Sequence, residues 1–457
     1  MIKLQKVLCL AAMGLFGLAH AAVADVSVNG VAGEDDDGAP PFETIARAVL
    51  YATTSTQTVV TIDTDGPLPG WGQGLDDDPE EIGGYPAGTF TIKAGDGFSP
   101  VVEGNNNYIR GTRNLQTEFI LEGFTLHGPS ANTLMCSGNV TLRNMTISSG
   151  SSNGAHQAIF AVFQATNILF EPGTQLLIED CNISGPRAYL GGVGFQTTII
   201  RNSVLSSTIA APPIQVQQRD IATGMNLIME GCTVNHRGSG LIFDSQAGAS
   251  LNSGSVSLVN NVFLGGTLAH GNNAVIGILN KAVDVSVRHC TLRANDAGMA
   301  IANGVLLGAS VTTTTVEIAN TLFDLPHADK IGVSIGDAGQ LANVSGDANA
   351  YNLGEANSLV VAGDPATDYF EATSRYVQDN TTGTRFVTRA TDGLLTLDFD
   401  PNSEVYHSAL VSDRAVALTP PVADDIEGES RPQGGAADIG ADEWGYVPAE
   451  LSTFEVQ

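Results

Sequence analysis

The side chains best suited to chemistry lie between residues 187 and 293. His236-Arg237 sets an imidazole beside a guanidinium, with Asp244 downstream and Arg219-Asp220 upstream. An imidazole or guanidinium held against a substrate can move a proton. Two carboxylates such as Asp220 and Asp244 offer the oxygen ligands that Ca²⁺ prefers. Gln215, Gln217, Arg187 and Lys281 are further polar groups suited to touching a bound ligand. Other constellations are missing. Adjacent Asp pairs occur only at 35–37, 76–78 and 424–425, so paired carboxylates for glycoside hydrolysis are not expected. No His/Cys set has zinc spacing, and Gly-x-Ser-x-Gly is absent. Gly191-Gly192-Val193-Gly194 precedes a strand rather than opening a helix, so it is a turn and not a nucleotide cradle. The acidic runs at 35–37 and 76–81 lack the alternating frame of a preformed calcium loop and read as solvated charge.

A repeat must position these residues. Leu142-Arg143-Asn144-Met145-Thr146-Ile147 recurs in form as Ile200-Arg201-Asn202-Ser203-Val204-Leu205 and Val287-Arg288-His289-Cys290-Thr291-Leu292. Equivalent positions are Phe124, Met145, Cys181, Ser203, Cys232, Asn261, Cys290 and Thr321, at intervals of 21, 36, 22, 29, 29, 29 and 31. The segments are too short for helical repeats, and the leucine-rich frame is absent. Each copy reads as two short strands meeting at a bend whose residue is Asn, Asp, Gly or His, types that tolerate a left-handed backbone. Stacking such copies predicts an all-β, right-handed parallel β-helix, with Asn144, Asn202, Asn260 and Asn320 in a broken ladder of amides bonded between coils. Cys181, Cys232 and Cys290 share one column with an intervening coil between each pair. They are then about 10 Å apart, beyond disulfide reach, and are expected as buried thiols; Cys136 has no evident partner.

The ends complete the plan. Pro41 to Ala52 has apolar residues at Phe42, Ile45, Val49 and Leu50, which predicts a capping helix with Pro in its first turn. Residues 25–110 are expected to hold this cap and the first coils, 111–330 the regular coils, and 331–457 the last coils and an irregular C-terminal cap. Residues 1–24 read as a signal peptide, with Lys3 and Lys6, an apolar stretch from Val7 to Leu18, and Ala22-Val23-Ala24 as cleavage site. Export to the extracellular space or cell surface is therefore expected. The apolar stretch is too short for a membrane span. Removing it leaves 18 of the 20 Lys+Arg against 49 Asp+Glu, a formal net charge of −31. That surface excludes nucleic acid as a partner, since such binding needs clustered basic charge.

Gly33 to Gly38 followed by Pro41-Phe42-Glu43-Thr44-Ile45 resembles the opening of secreted β-helix proteins of the pectate-lyase-like superfamily. Arg431-Pro432 and Asp438-Ile439-Gly440-Ala441-Asp442-Glu443 resemble the closing signature of bacterial choice-of-anchor Q proteins. The resemblance implies the fold across almost the whole mature chain, and a role that touches polysaccharide or cell-surface glycan. It admits two functions: a binding or structural protein without turnover, or a calcium-assisted lyase acting on uronate polymers by β-elimination. In the second, Arg237 or His236 would take the proton with Arg219 nearby. Asp220 and Asp244 would hold Ca²⁺, and Gln215, Gln217, Arg187 and Lys281 would bind substrate.

Overall fold

The computed structural model describes residues 26–361 except 33–38, 56, 73–87, 111–116, 162–172, 192–194, 219–224, 246–253, 266–273, 280–282, 295–302, 309–314, 326–329 and 353–358. Beyond these it describes 364–365, 375–376, 386–391, 394–399 and 415–441 except 427, 429 and 433–435. Residues 1–24, read from the sequence as a signal peptide, both acidic runs, Gly192 to Gly194, Asp442 and Glu443 lie outside the described residues.

Strands step through three sheets in a fixed cycle. The first sheet has twelve strands from Val26–Val28 to Val344–Asp347, and the second twelve from Pro67–Pro69 to Arg375–Tyr376. The third has eleven, from Asn107–Arg110 to Asp364–Pro365. Within these sheets neighbours are parallel, except that Asp364–Pro365 turns back on Leu359–Val361. The chain is a parallel β-solenoid, as its repeat predicts. Its register places like on like: Leu121, Leu142, Ile178, Ile200, Met229, Leu258, Val287 and Ile318 form one inward column. All are buried, and each such side chain contributes about 1.5–3 kcal/mol of burial. The uneven intervals do not disturb this register. The long interval from Met145 to Cys181 is absorbed in two places between strands, from Ser149 to Ile159 and from Ala161 to Gln175.

The corner between the first and second sheets explains the bend residues. Gly123, Asn144, Asp180, Asn202, Gly231, Asn260, His289 and Asn320 all have positive φ, from 46° to 80°. Among the described residues one rung of the expected ladder of corner amides forms, from Asn320 Nδ2 to His289 Nε2 of the preceding coil at 2.9 Å. Asn320 Nδ2 also donates to Val416 O at 2.8 Å and Asn260 Nδ2 to Asp424 O, so these side chains hold the C-terminal segment. A second ladder lies one residue later, in the bore. Cys181 N donates to Ser203 Oγ, Cys232 N to Asn261 Oδ1 and Thr321 N to Asn349 Oδ1, at 2.9–3.0 Å. At the corner the side chain points outward, whereas the next residue points inward and reaches the neighbouring coil. Cys136, Cys181, Cys232 and Cys290 are free and buried. Burial pushes the Cys181, Cys232 and Cys290 thiols up to about 12.

A helix spans Ile45–Thr54 and packs Ile45, Ala48, Val49 and Ala52 against the first strands of the first sheet. It starts four residues later than the Pro signal suggests, because the Thr44 side chain caps it by accepting from Arg47 N. Leu50 is only half-buried. At the other end the coils continue past residue 330, with Ile331–Ile335, Val344–Asp347 and Ala350–Asn352 extending the three sheets. The described part of residues 415–441 then returns along the side of the coils as a strap. Ile439 and Ala441 are fully buried against Val262, Leu322 and Ala350. The Arg431 guanidinium donates to Asp438 O at 3.0 Å and Gly440 O at 2.9 Å, folding the strap on itself. Gly440 needs its lack of a side chain, since φ is 114° and a Cβ would lie 3.1 Å from Thr291 Oγ1.

Candidate functional site

Alternation along the third-sheet strands sends every second residue to the outer face. There, Tyr108, Met135, Phe160, Leu190, Gln215 and Ile242 stand in register across six successive coils. Tyr108, Met135, Phe160 and Gln215 are half-buried, while Leu190 and Ile242 are buried. The row thus begins as an aromatic and apolar ridge and meets an amide at its fifth coil. Gln215 Oε1 is buried there with no hydrogen-bond partner. Two residues along the same strand, Gln217 pairs in register with Asp244 of the next coil. Apolar and aromatic walls with a few convergent polar groups are the usual make-up of a small-ligand site.

The residues singled out from the sequence divide. Gln215, Gln217 and Asp244 share this face of the third sheet. Arg219, Asp220 and Lys281 lie outside the described residues. His236 and Arg237 do not act as a pair, because they point to opposite sides: His236 is 4% exposed, whereas Arg237 is exposed. His236 Nδ1 donates to Gly238 O at 2.6 Å, and its Nε2 is buried without a partner. Burial lowers its pKa to about 4, so the imidazole is neutral at pH 7 and shut away from any groove. Arg187 donates to Gly154 O, and burial lowers its pKa. That side chain pins a neighbouring turn. The aromatic row itself escapes sequence reasoning. Ile159-Phe160-Ala161 and Leu134-Met135-Cys136 are uninterrupted apolar runs, which show strand but not which residue faces outward.

A second concavity lies at the corner of the first two sheets, under the strap. Beside the corner runs a column of alternating charge: Lys93, Glu122, Arg143, Glu179, Arg201 and Glu230 are successive register partners. Arg143 pairs with Glu179 at 3.1 Å and Arg201 with Glu230 at 3.3 Å. The column breaks at Val259 and resumes at Arg288, which turns to Glu317 of its neighbouring coil at 2.5 Å. A cleft of about 880 Å³ opens over this break, roofed by Pro420 to Ile426 and Gly428. Among the described residues no group of three His, Cys, Asp or Glu side chains could hold a metal ion.

The fold and these two surfaces define the chain as a parallel β-solenoid. Nothing matches it among protein-family models, curated proteins or solved structures.

Proposed function

We propose that this is an exported β-helix protein that binds glycan at the outer face of its third sheet and does not turn it over. The observation that carries the reading is the row that meets Gln215 at its fifth coil. Its apolar half offers Tyr108, Met135 and Phe160 to the C–H face of a sugar ring, and the unpartnered Gln215 Oε1 is suited to a hydroxyl donor. An orphaned buried acceptor costs about 1–3 kcal/mol, which a ligand hydroxyl would recover. The export signal and the resemblance of the two ends of the chain to secreted pectate-lyase-like and choice-of-anchor Q proteins support an extracellular or surface location. The burial of His236 argues against the constellation that a lyase would use.

Glycan-array binding of the mature protein, repeated with Phe160→Ala and Gln215→Ala, tests this reading. Binding that drops about tenfold or more in either variant is expected from the loss of a stacked ring or a hydrogen bond to a buried acceptor. Binding that ignores both substitutions would remove the third-sheet site. The calcium-assisted lyase is the second reading, kept by the adjacency of Gln217 and Asp244. Incubation with Ca²⁺ and uronate polymers would reveal it as rising ultraviolet absorbance from the unsaturated product, lost on chelation. The binding reading expects a flat trace.

A further inference from the structure

We infer that the cleft under the C-terminal strap is a second binding site, one that takes a saccharide bearing amine and hydroxyl donors. It rests on different residues from the third-sheet row and stands or falls separately. The cleft is built where the charge column is interrupted. Its lining carries two arginines, Arg201 and Arg288, against four carboxylates, Asp180, Glu230, Asp424 and Asp425. Both arginines are already engaged, with Glu230 and Glu317, and Asp425 has a partner of its own. Among the described residues Asp180 and Asp424 therefore leave the lining net negative, with no uncommitted cation. A uronate would be repelled there, and a protonated amine attracted.

Asn260 supplies the directional feature. It lines the cleft, is 4% exposed, and its Oδ1 is buried with no hydrogen-bond partner. The amide cannot simply be turned over to relieve this. Nδ2 donates to Asp424 O, and reversal would set two oxygens against each other. The unmet group is therefore an acceptor, and the ligand it calls for must donate. Val259, Pro420 and Pro421 add apolar walls, and the volume falls within the range of sites that enclose an organic ligand of a few rings. A compact metal ion does not fit the description, because its ligands would have to converge and no three carboxylates or imidazoles do so among the described residues.

Titration calorimetry of the mature protein with a fully deacetylated glucosamine trimer tests the inference, with a galacturonate trimer as the acidic counterpart and trilysine as a charge control. Val259→Arg sets a further cation in the column, opposite Glu230 and beside Arg288, and fills the cleft. Asp424→Asn removes one carboxylate but keeps the carbonyl that Asn260 uses. The glucosamine trimer should bind, and Val259→Arg should weaken it at least about tenfold, the scale of a lost charge-assisted hydrogen bond. Asp424→Asn should weaken it by about threefold, the scale expected of an exposed charge. Unchanged thermal unfolding and unreactive thiols in Val259→Arg would show that its coils are intact. Equal or tighter binding of galacturonate or trilysine overturns the inference, as does binding that survives Val259→Arg or no binding at all. Phe160→Ala should leave this binding unaltered, which separates the cleft from the third-sheet reading.

Discussion

At the corner of the first two sheets a single backbone conformation selects the side chain. Asn144 sits at φ 51° with its side chain exposed, so Asn144→Val should cost about 1–2 kcal/mol through the left-handed penalty alone, while Asn144→Gly stays near neutral. Chemical unfolding midpoints would show it; equal midpoints for Val and Gly would mean the corner has relaxed. His289 occupies the same position and adds a proton-linked effect. Its Nδ1 donates to Asp438 O and its Nε2 accepts from Asn320 Nδ2, which fixes the neutral ring. Burial, with Arg431 nearby, lowers its pKa to about 3, as burial lowers that of His236 to about 4. The unfolded chain binds these protons first, near pH 6.5. Stability from the neutral rings is therefore complete above pH 6.5 and is lost as the pH falls toward 4, by on the order of 3 kcal/mol per ring. Asn is tolerated at this corner in other coils, so His289→Asn should shrink the difference in unfolding midpoint between pH 7 and pH 4.5. A variant with the full wild-type pH dependence would acquit His289.

At the scale of elements, the strap is held by few contacts of high value. Arg431 is 9% exposed and serves two carbonyls of its own segment. Arg431→Ala strands those carbonyls and should cost about 2–3 kcal/mol, felt first as release of the strap. Limited proteolysis should then cut within 415–441 while the coils survive; a variant as resistant as the wild type would show that Ile439 and Ala441 suffice. The corner frame was legible in the sequence because the left-handed conformation admits few residue types, so Asn144, Asn202 and Asn320 announce themselves. The docking of the strap was not. Its signal is an outward column of the second sheet that changes from half-buried Thr125 and exposed Thr146 and Asn182 to buried Val204, Val262, Leu322 and Ala350. Unequal intervals hide that change until the coils are aligned in space. His236 misleads for a related reason: beside exposed Arg237 it looks available, and only the turn at Gly238 shows the ring facing inward. Gln215, Gln217 and Asp244 were legible as polar breaks in apolar strands, whereas Met135 and Phe160 were lost among apolar neighbours.

Over the whole molecule, two electrostatic effects of opposite sign compete, and salt separates them. The column from Lys93 to Glu230 alternates in sign, so its pairs attract. The chain as a whole carries a formal net charge of −29 and repels itself. The described pairs are partly exposed: Arg201 and Glu230 keep 44% and 51% of their side-chain surface. Pairs of this kind contribute roughly 0–1 kcal/mol each. Repulsion among the excess carboxylates acts at longer range, and a Debye length of about 10 Å at 0.1 M salt removes most of it. Range then decides the outcome. Attraction across a contact of 3.3 Å is screened less than repulsion between carboxylates several coils apart, so the folded state should gain more than it loses as salt rises. The thermal midpoint is expected to increase between about 10 mM and 300 mM monovalent salt, the interval over which screening shortens from about 30 Å to below 10 Å. Glu230→Gln, which removes one ladder carboxylate and one negative charge together, should lose stability at high salt, where only the pair counts, and lose less at low salt. A midpoint that falls steadily with salt would instead make the alternating column the dominant electrostatic term, and the net charge of the surface a bystander to folding.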